Sequence, residues 1–186
     1  IIIKDEKRKL YNRSFLINSF GKIVCKYDKI HMFDVNISKS DSYQESKIFT
    51  KGKKIVTANL PWGRIGMSIC YDLRFPTLYR KLCSKGANMI SIPAAFTRPT
   101  GKSHWSTLIK ARAIENLSFV FAPAQCGINS STRKTHGHSM IVSPWGKTIA
   151  ELKGKPGIIT ADIDISNVSR ARNMIPSHKV TPIEKN

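Results

Sequence analysis

Apolar and polar residues alternate along the first third of the chain, as half-buried β-strands require. This pattern predicts four strands, at residues 13–20, 22–27, 54–60 and 64–69. Gly21 stands between the first two and predicts a tight antiparallel hairpin, while residues 61–63 (Pro-Trp-Gly) join the second two. The polar residues 31–52 lack this period and predict a long loop.

The middle of the chain changes to a helical period. Pro76 suits the first turn of a helix and Gly86 its end, with an apolar stripe between them. A second helix is predicted over residues 104–116, where large apolar side chains step by four. Short apolar runs predict further strands at 88–92, 118–124, 138–143 and 157–163. Ser166 is expected to cap a last helix that runs to about Met174.

Strands that alternate with helices, with hairpins before and after, indicate a layered α/β domain. The helices are expected to cover one face of the sheet, so the other face needs a second layer. The chain has 186 residues, 41% of them hydrophobic, which suffices for one domain with a buried core. No apolar run is long enough to cross a membrane, and the first nine residues do not resemble a signal peptide. The chain is expected to begin inside a domain.

The net charge of +19 brings nucleic acid into consideration as a partner. The basic residues are nevertheless spread along the chain, and the two densest groups, at 7–9 and 51–54, contain no aromatic residue for base stacking. We therefore expect no specific nucleic-acid partner, although a basic binding module remains an alternative. The four cysteines form no C-x-x-C pair, which favours reduced thiols and a cytoplasmic location.

Cys70 is the strongest candidate for a catalytic residue. It follows the strand-like run 64–69 and precedes a helix, which places a thiol at the carboxyl end of a strand. A thiol there can act as a nucleophile, with the Tyr71 N–H as a donor to an oxyanion. Lys29 also ends a strand-like run, and its charge would favour the thiolate. The alternatives are a buried cysteine that only packs and a surface lysine.

Histidine could serve this thiol as a base, or hold a metal. The candidates for a Cys–His pair are His31, His104, His136 and His138. His136 and His138 alternate around a glycine, which without a third ligand is a weak signal for a metal. Since no G-x-S-x-G is present, a serine hydrolase is poorly supported. Neither a metal nor another cofactor is predicted.

Six segments in sequence together carry a family resemblance. They are 29–34 (Lys-Ile-His-Met-Phe-Asp), 70–76 (Cys-Tyr-Asp-Leu-Arg-Phe-Pro), 93–97 (Pro-Ala-Ala-Phe-Thr), 104–105 (His-Trp), 111–116 (Ala-Arg-Ala-Ile-Glu-Asn) and 137–146 (Gly-His-Ser-Met-Ile-Val-Ser-Pro-Trp-Gly). In their order and spacing they resemble the nitrilase superfamily of carbon–nitrogen hydrolases, and most closely its Nit-type amidase branch, which acts on ω-amides and deaminated glutathione. The resemblance implies an αββα layered sandwich, incomplete at its amino terminus.

The resemblance also implies roles for individual residues. Cys70 corresponds to the nucleophile, Lys29 to the lysine that holds the tetrahedral intermediate, and Glu45 to the glutamate that supports it. The expected substrate is a small amide that carries a carboxylate. The residues expected to bind it are Tyr71, Arg74, Phe96 and Thr97. Glu115 is expected to brace its helix and is assigned no catalytic role.

The chain departs from the family at the general base. In the family this glutamate lies well upstream of the lysine, whereas only 28 residues precede Lys29 here and their acids lack the right context. Residues 1–186 are therefore interpreted as one carbon–nitrogen hydrolase domain, roughly its carboxyl-terminal two thirds. The alternative is a non-catalytic remnant or a fragment that depends on a partner. The family also implies a face-to-face homodimer.

Overall fold

The computed structural model describes residues 1–38, 41–129, 134–177 and 179. In chain order the strands are β1 (Ile2–Lys4), β2 (Leu10–Ile17), β3 (Ile23–Asp28), β4 (Asp34–Ser38), β5 (Asp41–Gln44), β6 (Thr57–Leu60), β7 (Gly63–Met67), β8 (Met89–Ser91), β9 (Phe119–Ala122), β10 (Cys126–Ile128), β11 (Lys134–His136), β12 (Ser139–Val142) and β13 (Thr148–Leu152). The α-helical segments are α1 (Pro76–Ser84), α2 (Arg98–Thr100), α3 (Ser106–Asn116) and α4 (Ser166–Met174). Tighter turns lie at Glu45–Lys47 and Cys70–Arg74, and a π-helical turn at Gly101–Trp105 precedes α3.

A six-stranded sheet in the order β13-β12-β9-β8-β7-β6 forms the centre of the molecule. Its inner strands β7, β8 and β9 are parallel, and the outer strands pair antiparallel. Helices α1 and α3 make the two crossovers between the parallel strands. The carboxyl ends of these strands therefore meet at one edge of the sheet, and the segments that follow β7 and β8 lie side by side there.

Strand alternation gives the central sheet two buried faces. On one face Ile90, Val120 and Met140 pack with α1 and α3 in the largest apolar cluster. On the other face Met89 and Phe119 pack against Val168 of α4. The small sheet β1-β2-β3 also packs on this second face, where Tyr27 contacts Met67 and Ile69. The structure thus contains the second layer that the sequence pattern requires.

The predicted elements are mostly confirmed. The first hairpin is β2–β3 with Gly21 at a left-handed φ of 74°, and the second strand pair is β6–β7. Helix α1 begins at Pro76, and Gly86 follows its end with φ 86°. The second predicted helix corresponds to the π-helical turn and α3. The predicted strands 88–92, 118–124 and 138–143 contain β8, β9 and β12.

Three predictions about elements are wrong. Residues 31–52 are not simply a loop, because Val35 pairs with Tyr43 in the short hairpin β4–β5. Residues 157–163 form no strand, since β12 already pairs with β13 on that side, and β13 was not predicted. Ser166 does not cap α4 with its own side chain. The carboxylate of Asp164 accepts from both Ser166 N and Ser166 Oγ.

Candidate active site

Cys70 lies just beyond β7, at the sheet edge that the topology makes available. Its backbone N–H donates to the Pro93 carbonyl at 2.9 Å, so the segments after β7 and β8 stay paired past the strands themselves. Cys70 then begins a tight turn with a left-handed φ of 49°, a conformation that is unfavourable for a side chain with a Cβ. Such strain persists where neighbouring contacts hold it, and it often accompanies a functional residue.

Lys29 and Glu45 form a buried ion pair. Lys29 directly follows β3, and its side chain is only 3% exposed. Its Nζ donates to Glu45 Oε2 at 2.5 Å. Glu45 also accepts from Phe33 N at 2.6 Å and from Asn12 Nδ2 at 3.3 Å. A buried ion pair needs such additional hydrogen bonds to offset its desolvation, and they fix the ammonium group in one position.

The protein around the Cys70 thiol determines its ionisation. Burial raises the pKa of the thiol above its ordinary value, and it is the largest effect. The charge of Lys29 and a backbone hydrogen bond from Ala95 lower the pKa, whereas the charges of Glu45 and Asp72 raise it. The net direction is upward, so the thiol at rest is protonated near neutral pH and needs a proton acceptor before it can attack.

A cavity of about 810 Å³ brings most of the predicted site residues together. Its lining includes Lys29, Glu45, Cys70, Tyr71, Phe96 and Thr97. Cys70 is partly accessible because it lines this cavity. The cavity extends from the thiol to β1 and β2, where Ile2 and Phe15 line it, and further polar side chains reach it from Gln125 and Asn129.

Arg74 is the one predicted binding residue that does not line the cavity. Its guanidinium lies over the rings of Phe96 and Tyr71, at 5.5 and 6.0 Å from the ring centroids, and its Nη2 is 3.2 Å from His104 Nδ1. Arg74 therefore lies outside the cavity lining, against two side chains that form the cavity wall.

The structure gives the histidines other partners than Cys70. His31 Nδ1 donates to Asp72, and the His136 and His138 rings stack with their centroids 4.3 Å apart. His138 is bonded in addition to Glu151, at 2.7 Å. Within residues 1–38, 41–129, 134–177 and 179, no three His, Cys, Asp or Glu side chains converge as a metal site. Nor does any helix in that part of the chain have the length and apolar character of a membrane span.

Glu115 has the bracing role that was expected of it. It forms an ion pair with Arg112, whose Nε donates to the Leu73 carbonyl at 2.9 Å. This arrangement ties α3 to the turn that follows Cys70.

Sequence reasoning missed Asp72 and Asn12. Asp72 is buried and accepts hydrogen bonds from residues that lie more than 40 positions away, and Asn12 binds Glu45 from β2. An acidic residue among the mostly apolar residues 69–75 was the available signal for Asp72. Nothing in the sequence pairs Asn12 with Glu45.

The sequence of this chain is similar to those of known proteins. The profile of a family described as "Carbon-nitrogen hydrolase" matches residues 1–173. A deaminated glutathione amidase of Synechocystis sp. is 44% identical over 182 residues, covering 96% of this chain and 67% of the relative. The deaminated glutathione amidase of Mus musculus is 40% identical, and the match covers 92% of this chain. The chain thus spans about half to two thirds of the length of these relatives.

Solved structures are similar as well. The NitFhit protein of C. elegans superposes with a TM-score of 0.87 at 40% identity, covering 93% of this chain and 43% of that one. Saccharomyces cerevisiae Nit3, described as a member of branch 10 of the nitrilase superfamily, superposes with a TM-score of 0.85 at 34% identity. That match covers 95% of this chain and 62% of Nit3.

Proposed function

This chain belongs to the carbon–nitrogen hydrolase family, and from that premise we propose that it is an amidase that works through a thioester on Cys70. The observation that carries the proposal is the meeting of Cys70 with the Lys29–Glu45 ion pair at one cavity. A nucleophile with a fixed cation beside it is what acyl transfer requires, because negative charge develops on the carbonyl oxygen during attack.

The proposed reaction has two halves. The Cys70 sulfur attacks the amide carbon, and the ammonium of Lys29 with the Tyr71 N–H stabilises the oxyanion. The C–N bond breaks, the nitrogen takes up a proton, and ammonia leaves from a primary amide or an amine from a secondary one. Water then attacks the thioester, the C–S bond breaks, and the carboxylic acid is released as the thiol is restored.

This scheme does not yet assign the group that accepts the proton of the Cys70 thiol. Glu45 is the carboxylate that lines the cavity among the described residues, and its oxygens already accept from Lys29, Phe33 and Asn12. We infer that the thiol proton goes to an acceptor other than this ion-paired carboxylate. The same observation favours the second candidate function, in which residues 1–186 alone are inactive and depend on a partner for this group.

The proposed substrate is a small amide that carries a carboxylate. The relatives that match the chain include several named deaminated glutathione amidase, which supports this class. Thr97 is buried at the cavity wall and offers a hydroxyl, and Arg74 provides positive charge behind Tyr71 and Phe96. We also propose a homodimer, and a cytoplasmic location that the four free cysteines support.

Release of ammonia from simple ω-amides, and of the amine cysteinylglycine from deaminated glutathione, tests the proposal. We expect activity in the wild type that Cys70→Ala abolishes, and no loss in the matched control Cys126→Ala. Intact-mass analysis during turnover should show an acyl adduct that Cys70→Ala lacks. Full activity in Cys70→Ala would overturn the mechanism. An inactive wild type that gains activity with a separately supplied carboxylate-bearing segment would favour the second candidate.

A further inference from the structure

Asp72 is a fully buried carboxylate close to the site, with an exposed fraction of 0%. Its Oδ1 accepts from the backbone N–H of His31 at 3.0 Å and from His31 Nδ1 at 2.7 Å. Its Oδ2 accepts from Tyr27 Oη at 2.7 Å and from Ile69 N at 2.8 Å. Burial of a carboxylate is costly unless its oxygens are satisfied, so the fold depends on holding these donors together.

The donors come from both sides of the site. His31 lies two residues after Lys29, and Asp72 lies two residues after Cys70. Tyr27 belongs to the small sheet β1-β2-β3, whereas Asp72 follows β7 of the central sheet. The Asp72 carboxylate therefore links the segment that carries the lysine to the segment that carries the thiol. The His31 ring adds to this link, since it stacks on Phe75 with centroids 3.7 Å apart.

The same carboxylate holds the turn of the nucleophile. The Ile69 N–H that it accepts immediately precedes Cys70, whose φ of 49° is left-handed. A left-handed conformation is unfavourable for a residue with a Cβ. The hydrogen bond from Ile69 to Asp72 spans Cys70 and Tyr71, so it closes the turn around the strained residue.

We propose that Asp72 is a positioning residue of this active site: through His31 and Ile69 it fixes where Lys29 and the Cys70 thiol stand relative to each other. The assignment deepens the proposed amidase function and rests on it for its biological meaning. Asp72 does not line the cavity. Its action goes through Lys29 and Cys70, which do line it.

A positioning role and a purely electrostatic role of Asp72 predict opposite changes in the pKa of Cys70 when Asp72 is removed. The charged groups that act on the thiol are Lys29, Glu45 and Asp72, of which Lys29 lowers its pKa and the two carboxylates raise it. If Asp72 acted only as a charge, its removal would lower the pKa. If it positions Lys29, its removal lets the ammonium move away and the pKa rises.

The experiment measures the alkylation of Cys70 by iodoacetamide against pH in the full chain, with mass spectrometry of the Cys70 peptide as the readout. The variants are His31→Ala, His31→Gln and Asp72→Asn. The control is Glu151→Gln, which alters a His–carboxylate pair of the same 2.7 Å length that does not line the cavity. His31→Gln keeps a side-chain N–H that can donate to Asp72.

We expect His31→Ala and Asp72→Asn to raise the pH midpoint of alkylation by about one unit, which slows the reaction near neutral pH about tenfold. His31→Gln should restore most of the rate, and Glu151→Gln should match the wild type. An unchanged midpoint in folded His31→Ala would overturn the proposal, and so would a lower midpoint in Asp72→Asn. If Asp72→Asn does not fold, the comparison of His31→Ala with His31→Gln still tests the proposal. Alkylation needs no turnover, so failure of the amidase proposal would appear separately, as absent amide hydrolysis in the wild type.

Discussion

The charge of Lys29 works against the burial of Cys70. Desolvation favours the neutral thiol, and the buried ammonium favours the thiolate and a developing oxyanion. Three hydrogen bonds to Glu45 keep that ammonium and its partner in place. The site thus depends on a balance of buried charges, in which each residue has a separate effect that can be measured.

Replacing Lys29 with methionine removes the charge and keeps most of the side-chain volume. We expect the pH midpoint of Cys70 alkylation to rise, because the charge of Lys29 then no longer opposes the effect of burial on the thiol. Amide hydrolysis should fall by about 10²–10³-fold, the range for loss of an oxyanion donor. Ammonia release and alkylation measured on the same samples check both effects. Lys26→Met on the exposed side of β3 is the matched control, and an unshifted midpoint in Lys29→Met would refute the argument.

At the residue scale, the sequence predicts those groups whose role follows from a recognisable segment. Cys70, Lys29 and Glu45 were placed by the family resemblance, and the structure brings them to one cavity. Asp72 could not be assigned in the same way, because its role depends on contacts with residues such as His31, which is 41 residues distant. A hydrogen-bond hub is a property of three-dimensional packing and leaves little trace in local spacing.

The segment that follows β5 is hydrogen-bonded to the backbone of Lys29. Gly52 N donates to the Lys29 carbonyl at 2.7 Å, and Thr50 N donates to the Leu10 carbonyl at 2.8 Å. A Cβ on Gly52 would lie 2.0 Å from the carbonyl oxygen of Asp28, and that oxygen belongs to the backbone, so it cannot rotate away. Glycine at this position lets the segment reach the end of β3.

Gly52→Ala should therefore destabilise the protein strongly. We expect a loss of about 3 kcal/mol in the free energy of unfolding, at the upper end of the overpacking range, together with reduced amide hydrolysis as Lys29 shifts. Urea unfolding measures the first effect. Gly21→Ala is the control, since a Cβ added there would have nothing within 4 Å and the variant bears only the strain of its positive φ, about 1 kcal/mol. Equal losses in the two variants would contradict the steric argument.

Prediction of elements succeeded where local pattern and pairing agreed. The hairpin β2–β3 and helix α1 have both a clear period and a glycine or proline at the boundary. It failed where tertiary partners decide. Residues 157–163 are apolar but have no neighbouring strand, whereas β13 forms because β12 offers its free edge. Hairpin β4–β5 is short and polar, so its alternation was hidden by its composition.

At the scale of the whole molecule, two buried tyrosines are expected to make the protein less stable at alkaline pH. Burial is the main cause that raises the pKa of both Tyr27 and Tyr79 far above their usual range, and the nearby charge of Asp72 adds to it. In the unfolded chain these groups titrate near their ordinary value of about 10. Because the folded pKa is the higher one, the unfolded state releases its protons first. Stability is complete below about pH 10 with respect to these groups and falls as pH rises beyond it.

Tyr79→Phe isolates one such group. The wild type should lose about 1.4 kcal/mol of unfolding free energy per pH unit for each buried tyrosine above pH 10, and the variant should lose that much less per pH unit. Urea unfolding between pH 8 and 11, with reductant present, gives the two slopes. The comparison cancels the change in net charge that both proteins share. The variant also loses the hydrogen bond to Ser68, which lowers its stability equally at every pH. Identical slopes would show that Tyr79 ionises as readily in the folded protein.

The homodimer proposed from the family is best tested on the helical side of the molecule. Ile114 of α3 is 51% exposed and Trp145 is 57% exposed. Ile114 lies against Gly146, the residue after Trp145, because a Cβ on Gly146 would come within 2.6 Å of Ile114 Cδ1. Exposed large apolar side chains on one part of the surface are typical of an interface core. The net charge of +19 opposes the association of two copies, so salt should strengthen the dimer by screening this repulsion.

Light scattering coupled to gel filtration, at low and at high salt, should give a mass near twice 20.9 kDa with a larger dimer fraction at high salt. Ile114→Glu places a charge at the centre of the contact and should yield the monomer at both salt concentrations, since an unpaired charge is costly to bury. Ile158→Glu, at a residue that is 88% exposed, changes the net charge equally and should leave the dimer intact. A dimer that Ile114→Glu leaves unaffected would place the interface on a different face, and a wild type that stays monomeric at both salt concentrations would rule out self-association of residues 1–186.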